Sequence, residues 1–174
     1  MHQRQRAFTL IELLVVIVII GSMLGLAVFS MGSAGGSREL RQQAERLAAV
    51  MALQLEAATL DNREYGVQLR RDGYRVLAYD EPRAQWLPPE GQRDHLLPAW
   101  MQLDFTLEGT PLQLPASDED DSTPANQPHL LLLSSGELSP FNLRLRDSRP
   151  GGQTYSLSSD GFSLPLARLN QTGK

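Results

Sequence analysis

The sequence predicts an α+β fold: a long N-terminal α-helix, transmembrane in its first part, packed on antiparallel β-sheet. Three observations predict it. Phe8–Phe29 is an almost unbroken apolar run. Ser37–Leu60 repeats apolar residues at steps of three and four, the period of a helix with one buried face. Most of the chain beyond Leu60 is short apolar–polar alternation divided by Gly, Pro and Asp turn signals. Helix first and strands afterwards, without regular alternation of the two, points to an α+β arrangement.

The chain has 174 residues, room for one modest domain and an anchor. Arg4, Arg6 and Glu12, set aside from the 16 basic and 20 acidic residues, leave 14 and 19 over residues 38–174. That surplus of carboxylates repels phosphate, so nucleic acid is not expected as a partner. The absence of cysteine excludes disulfides, thiolate metal sites and a cysteine nucleophile.

As a helix, Phe8–Phe29 would be ~33 Å long, which matches the hydrocarbon core of a bilayer, about 30 Å thick. Arg4 and Arg6 precede it, so the positive-inside rule keeps the N-terminus cytoplasmic and exports the rest. A cleaved secretory signal fits poorly, because the run exceeds about 15 residues and no A-x-A site follows it cleanly. Glu12 stands out. An ionised carboxylate in a membrane helix costs about 2–3 kcal/mol, less near the interface. A cationic partner at that depth would remove the cost. A cut just before Phe8 would create one, because the new α-amine of a neighbouring subunit would sit level with Glu12. Buried charge with a partner outside its own chain favours assembly.

Within the run, Gly21 and Gly25 form a G-x-x-x-G pair of the kind that lets helices approach closely, although glycine is common in membrane helices. Residues 31–37 are glycine-rich and read either as a linker or as a bendable part of one long helix. Ser37 is a candidate N-cap for the next helix. Its apolar stripe is Leu40, Ala44, Leu47, Met51, Leu55 and Ala58, with Arg41, Glu45 and Gln54 opposite. Tyr65–Arg70 and Tyr74–Tyr79 form a hairpin about Asp72-Gly73. Residues 100–107 alternate with Met101, Leu103, Phe105 and Leu107 on one face. A buried strand over 129–133, a turn at Ser135-Gly136 and a strand carrying Phe141, Leu143 and Leu145 come next. The last hairpin turns about Asp160-Gly161. Leu87–Leu97 and Leu114–Pro128 are proline-rich loops. There is no internal repeat.

Chemistry is thinly represented. Beyond the leader, the histidines are His95 and His129, isolated among prolines and leucines, and no G-x-S-x-G motif accompanies them. Both read as structural. Asp104, Glu108 and Glu137 are carboxylates without a distinguishing pattern. The acidic run Ser117–Ser122, with Asp118, Glu119, Asp120 and Asp121, lacks the D-x-[DN]-x-[DN]-G calcium pattern and reads as a solvated loop. No catalytic residue, cofactor or metal is expected.

The stretch "RAFTLIELLVVIVIIG" resembles the leader of type IV pilins and of type II secretion pseudopilins. The resemblance implies a pilin-like fold and a basic leader, residues 1–7, removed by prepilin peptidase between Ala7 and Phe8. It further implies methylation of the Phe8 amine, and a role for Glu12 in assembly. The family carries Gly where this chain has Ala7; the extra methyl predicts slower cleavage rather than none. The implied organisation is a transmembrane segment over 8–30, a glycine-rich break over 31–37 and a periplasmic domain over 38–174. Farther on, "SRELRQQAERLAAVMALQLEAATLDNREYGVQLRRDGYRVLAYDE", "QWLP" and "LLLLSSGELSPFNLRL" resemble the minor pseudopilin H family of type II secretion. That narrower resemblance implies a structural subunit near the tip of the periplasmic pseudopilus, anchored in the inner membrane. Its implied partners are the other minor pseudopilins of the tip complex and the major pseudopilin. Two other readings are a minor pilin of a type IV pilus, disfavoured as a DNA binder by the acidic domain, and a membrane-anchored periplasmic binding or catalytic domain.

Overall fold

The structure, a computed structural model, describes residues 10–115 and 126–170, with the backbone alone for residues 26–34. The chain divides into two compact units, Met1–Gly36 and Ser37–Lys174. Helix α1 (Leu10–Asp61) contributes to both. It includes the glycine-rich stretch, so Ser37 lies inside the helix and is not an N-cap. Each interior Gly costs a helix about 1 kcal/mol relative to Ala. Nucleation, however, is the expensive step, and helix-forming sequence on both sides supplies it.

In the second unit every residue of the expected stripe is buried: Leu40, Ala44, Leu47, Met51, Leu55 and Ala58. Gln54, expected on the opposite face, is buried as well. It lies three residues after Met51 and four before Ala58, on the same turn-by-turn row. Arg41 and Glu45 do face solvent and pair at 3.6 Å, an exposed contact of small energetic weight.

The first antiparallel sheet contains β1 (Tyr65–Arg70), β2 (Gly73–Asp80), β3 (Gln85–Leu87), β4 (His95–Leu96) and β7 (Leu130–Leu132). Its order is β3-β2-β1-β7, with β4 also on β2. The β1–β2 register pairs Arg70 with Gly73, so the turn is Arg71-Asp72 rather than Asp72-Gly73. Gly73 answers a different need. Strand β4 crosses so close that a Cβ on Gly73 would collide with the carbonyl of His95. Strands β3 and β4 were not expected, because three and two residues are too short to show a period.

The second sheet contains β5 (Met101–Leu107), β6 (Thr110–Leu112), β8 (Phe141–Asp147), β9 (Thr154–Ser159) and β10 (Arg168–Asn170), in the order β10-β9-β8-β5-β6. Strands β5 and β8 bury Met101, Leu103, Phe105, Phe141, Leu143 and Leu145 as their alternation demands. Glu108 and Gly109, both at positive φ, close the short β5–β6 hairpin. Pro111 keeps β6 at the sheet edge.

Strands β7 and β8 do not pair with each other. After the turn at Leu133–Gly136, Leu138 bridges back to Leu132, and the chain then leaves for the second sheet. The last hairpin is also longer than expected: β9 ends at Ser159 and its partner begins at Arg168. Residues from α1 and from both sheets share one apolar cluster that includes Leu47, Met51, Val67, Leu69, Leu103, Phe105, Leu143 and Leu157.

The Gly73 contact gives a direct test of the β2–β4 crossing. Gly73→Ala is expected to destabilise the second unit by about 1–3 kcal/mol, the usual cost of overpacking. Gly35→Ala, where a Cβ meets nothing within 4 Å, is expected to be neutral or stabilising by up to about 1 kcal/mol. Urea unfolding curves of the two variants check both, and equal midpoints would contradict the crossing.

Candidate functional site

In the first unit, Glu12 sits in the first turn of α1. Around it, the large apolar side chains from Leu10 to Leu24 are all exposed. They occupy every face of the helix, and a helix apolar on all sides is stable only when lipid or other helices cover it. Ser22 Oγ donates to the Val18 carbonyl at 2.8 Å, so its hydroxyl is satisfied within the helix. Gly21 and Gly25 lie one turn apart, and a Cβ on either would meet nothing within 4 Å. The helix therefore presents a shallow, open face at these glycines.

Among the described residues no helix is long and apolar enough to cross a membrane. The described side chains of the expected span cover Leu10–Gly25, short of the about 20 residues that crossing requires. Ala7 and Phe8, the expected processing site, lie outside the described residues, as does the acidic run 117–122.

The second unit uses its histidines in its framework. His129 N–H donates to the Val67 carbonyl at 2.9 Å, and its ring Nδ1 accepts the Leu69 N–H at 3.0 Å. The ring thus extends the β1–β7 ladder by one bond. An accepting Nδ1 carries no proton, so the ring is neutral with its hydrogen on Nε2. Burial holds its pKa below the ordinary value. His95 donates from Nε2 to Gln43 Oε1 at 2.7 Å and lies against the Tyr74 ring, 4.9 Å between centroids. Burial, and then the nearby Arg46 cation, lowers its pKa too.

Charged side chains serve as loop anchors. Arg75 Nε donates to Asp94 Oδ1 at 2.7 Å, and buried Arg70 reaches Asp94 Oδ2 at 3.3 Å. The hydrogen bonds from Arg75, helped by Arg70, hold the Asp94 carboxyl below the usual range. Arg71 ties down Leu114 and Pro115 through their carbonyls. Glu64 accepts from both the backbone and the hydroxyl of Ser134, at 3.0 and 2.7 Å, and so fixes the turn after β7.

A cleft of about 950 Å³ runs between the β1–β2 turn and the β5–β6 edge, lined by Leu103, Phe105, Leu112 and Leu114 with Arg71 and Asp104 at its polar side. Asp104 is in β5, Glu108 in the following turn and Glu137 beyond β7, and this cleft takes in only the first of them. Among the described residues no group of three or more His, Asp or Glu side chains could hold a metal ion. The sequence reading missed a cluster of outward apolar residues after β9, namely Phe162, Leu164, Leu166 and Leu169. Its only signal was a leucine at alternate positions around Pro165, which reads equally well as an ordinary strand.

Comparison with known proteins bears on both units. Residues 2–28 match the family model of the prokaryotic N-terminal methylation motif. Type II secretion system protein H of Pseudomonas aeruginosa (strain PAO1) is 54% identical, covering 94% of this chain and 96% of that protein. The protein of the same description from Aeromonas hydrophila is 31% identical over 83% of this chain and 82% of its own length. A crystal structure of the minor pseudopilin EpsH from the type II secretion system of Vibrio cholerae superposes with a TM-score of 0.59 at 23% identity, covering 79% of this chain and 99% of that one. The solution structure of Escherichia coli GspH superposes with a TM-score of 0.57 at 21% identity, over 76% and 89%. The pilin-like fold is thus shared.

The two histidines make stability depend on pH. Their folded pKa values lie below that of an unfolded histidine, about 6.5. The unfolded chain therefore takes up more protons, and stability that is full above that value is lost as pH falls through it. Urea midpoints are expected to drop between about pH 7.5 and 5.5, either side of that value. His129→Asn, whose Oδ1 can still accept from Leu69, is expected to shrink that drop and leave the part due to His95. An unchanged drop would remove His129 from the account.

Proposed function

We propose that the chain, which belongs to the family of type II secretion system protein H, is a structural subunit near the tip of the pseudopilus. The observation that carries the family is the 54% identity over nearly the whole of both chains. The chain is a minor pseudopilin of the type II secretion system, and its family and N-terminal motif imply membrane anchoring. The finer role is to join a tip complex of other minor pseudopilins to the shaft of the major pseudopilin. There it helps to prime a filament that exports folded proteins across the outer membrane.

In this reading Arg4 and Arg6 hold residues 1–7 in the cytoplasm, residues 8–30 cross the inner membrane, and residues 38–174 form the periplasmic domain. Residues 31–37, glycine-rich and helical, are the pliant part of α1. Prepilin peptidase cuts between Ala7 and Phe8 and methylates the new amine. The Glu12 carboxylate of one subunit then pairs with the Phe8 amine of its neighbour, and neither charge is left alone in lipid. Gly21 and Gly25 admit the neighbouring helix closely. The role asks for no catalytic group and no cofactor.

Intact mass of the membrane-extracted protein, with and without prepilin peptidase, tests the processing. A product starting at N-methylated Phe8 is expected only with the enzyme; a chain still starting near Met1 would overturn the assignment unless Ala7→Gly restored cleavage. Ala7→Gly is expected to speed cleavage in a time course, and equal rates would show that the methyl is irrelevant. Glu12→Ala is expected to insert normally yet lose most of its crosslinking to other pseudopilins. Undiminished crosslinking would count against amine pairing.

A further inference from the structure

Strand β1 outruns the strand beside it. Its register with β7 covers Tyr65, Gly66 and Val67, while β1 itself continues to Arg70. Past Val67 the edge of β1 is closed by single residues instead of a strand. The Val67 carbonyl accepts from His129 N at 2.9 Å, the Leu69 N–H donates to His129 Nδ1 at 3.0 Å, and Arg71 N donates to the Pro115 carbonyl at 3.0 Å. An open edge is a template for pairing with another strand, so these caps protect β1 as a further strand would. The residues before His129 lie on β1 and β2 as well. Pro128 sits where a Cβ on Gly66 would collide with its ring, and Asn126 Oδ1 accepts from Arg75 at 3.3 Å.

The cap at Leu69 depends on protonation. A neutral ring with its hydrogen on Nε2 offers the Nδ1 lone pair to the Leu69 N–H, whereas an imidazolium has a donor on both nitrogens and no acceptor. A proton on Nδ1 would point at the Leu69 N–H, and that N–H, on a fully buried residue, would lose its acceptor. The neighbouring elements do not offset the charge. Strand β1 presents the Leu69 amide, with Arg70 turned to Asp94 and Arg71 to the Leu114 carbonyl. Strand β5 presents the Phe105 ring, 6.4 Å between centroids, and Asp104 lies in the exposed phase of that strand. Pro128 and Leu130, on either side of His129, are uncharged. Among the described residues burial alone lowers the pKa of the ring, so no carboxylate there favours the charged form.

We propose that His129 is a pH-sensitive latch: a proton on Nδ1 turns the acceptor into a donor, expels the ring from β1 and releases residues 126–129, so that Val67 and Leu69 become an open strand edge. Release is local. Strand β8 is paired on both sides, with β5 and with β9, and needs no bond from His129. The direction follows from where the proton binds. The released ring titrates near the ordinary value of about 6.5 and the latched ring below it, so acid favours release. Between those two values the opening equilibrium rises by at most about tenfold per pH unit, the limit for uptake of one proton. The latch belongs to the second unit and goes beyond the subunit role, which requires no such opening.

Hydrogen–deuterium exchange of the full chain in detergent micelles, at about pH 7.5 and 5.5 and corrected for intrinsic exchange, tests the latch. Peptides spanning residues 67–70 and 126–132 are expected to lose protection several-fold at the lower pH, while a peptide over β8 keeps its own. His129→Asn, whose Oδ1 accepts from Leu69 at either pH, is expected to remove that loss, and His95→Gln is expected to leave it in place. A loss shared equally by β8 is global unfolding and overturns the proposal. So does the absence of any loss, a loss that His129→Asn retains, or one that His95→Gln abolishes. Should His129→Asn fail to fold, the nitrogen-15 shift of His129 Nδ1 in the unaltered chain decides instead. Its titration must share the pH midpoint of the exchange, and a separate midpoint overturns the latch.

Discussion

The second unit depends on the buried row of α1, because among the described residues that row shares one apolar cluster with both sheets. Leu40, Leu47, Met51 and Leu55 share an apolar cluster with strands from each sheet. Fully burying such a side chain is worth about 1.5–3 kcal/mol, so this row outweighs any ion pair on the surface. Ala44, Ala48 and Ala58 are buried among these larger residues. Removing Leu47 or Met51 would leave a cavity touching α1 and sheet residues together, with the about 2–5 kcal/mol cost typical of large-to-small changes.

Away from that row, polar side chains take over where apolar packing cannot reach. Three arginines on the β1–β2 hairpin, Arg70, Arg71 and Arg75, hold Asp94, Leu114, Pro115 and Asn126, all in long connections. Glu64 and His129 act in the same way on the turn after β7 and on the end of β1. Loops without a hydrophobic core of their own need such bonds, because an unsatisfied buried carbonyl or amide costs as much as a lost hydrogen bond. The same need accounts for the two histidines set among leucines and prolines. Their nitrogens complete ladders and clamps.

The sequence made the long elements legible and hid the short ones, for reasons of period. Six apolar residues at three- and four-residue steps define α1 over Leu40–Ala58, and seven-residue alternation defines β5 and β8. A strand such as β4, two residues long, has no period at all. Gln54 was misplaced because polarity was read as exposure, although its spacing from Met51 and Ala58 places it on the buried row. Gly73 looked like a turn residue, yet its role is to leave space for β4, a contact between residues more than twenty apart. The sheet switch between β7 and β8 was equally invisible, since a strand, a turn and a second strand normally suggest a hairpin. Of the candidate site, the helix with Glu12 and the two glycines was legible from composition alone. The outward loop at Phe162–Leu169 was not, because alternation does not say which phase faces the core.

The two units meet the same physical problem in different ways, and the difference bears on how the subunit enters a filament. Among the described residues, the second unit gathers most of its large apolar side chains into one buried cluster, whereas those from Leu10 to Leu24 are all exposed. That helix must stay in lipid or pass among other helices, and lipid alone would leave the Glu12 carboxylate at its worst. A place near the start of the apolar run, close to the interface, is less costly for it than the middle. A charged partner still improves on that position, and in the proposed reading the partner is the Phe8 amine, which does not exist until the leader is removed. Cleavage would then do more than shorten the chain. In that reading it would also create a cation that offsets the cost of the Glu12 carboxylate inside the filament.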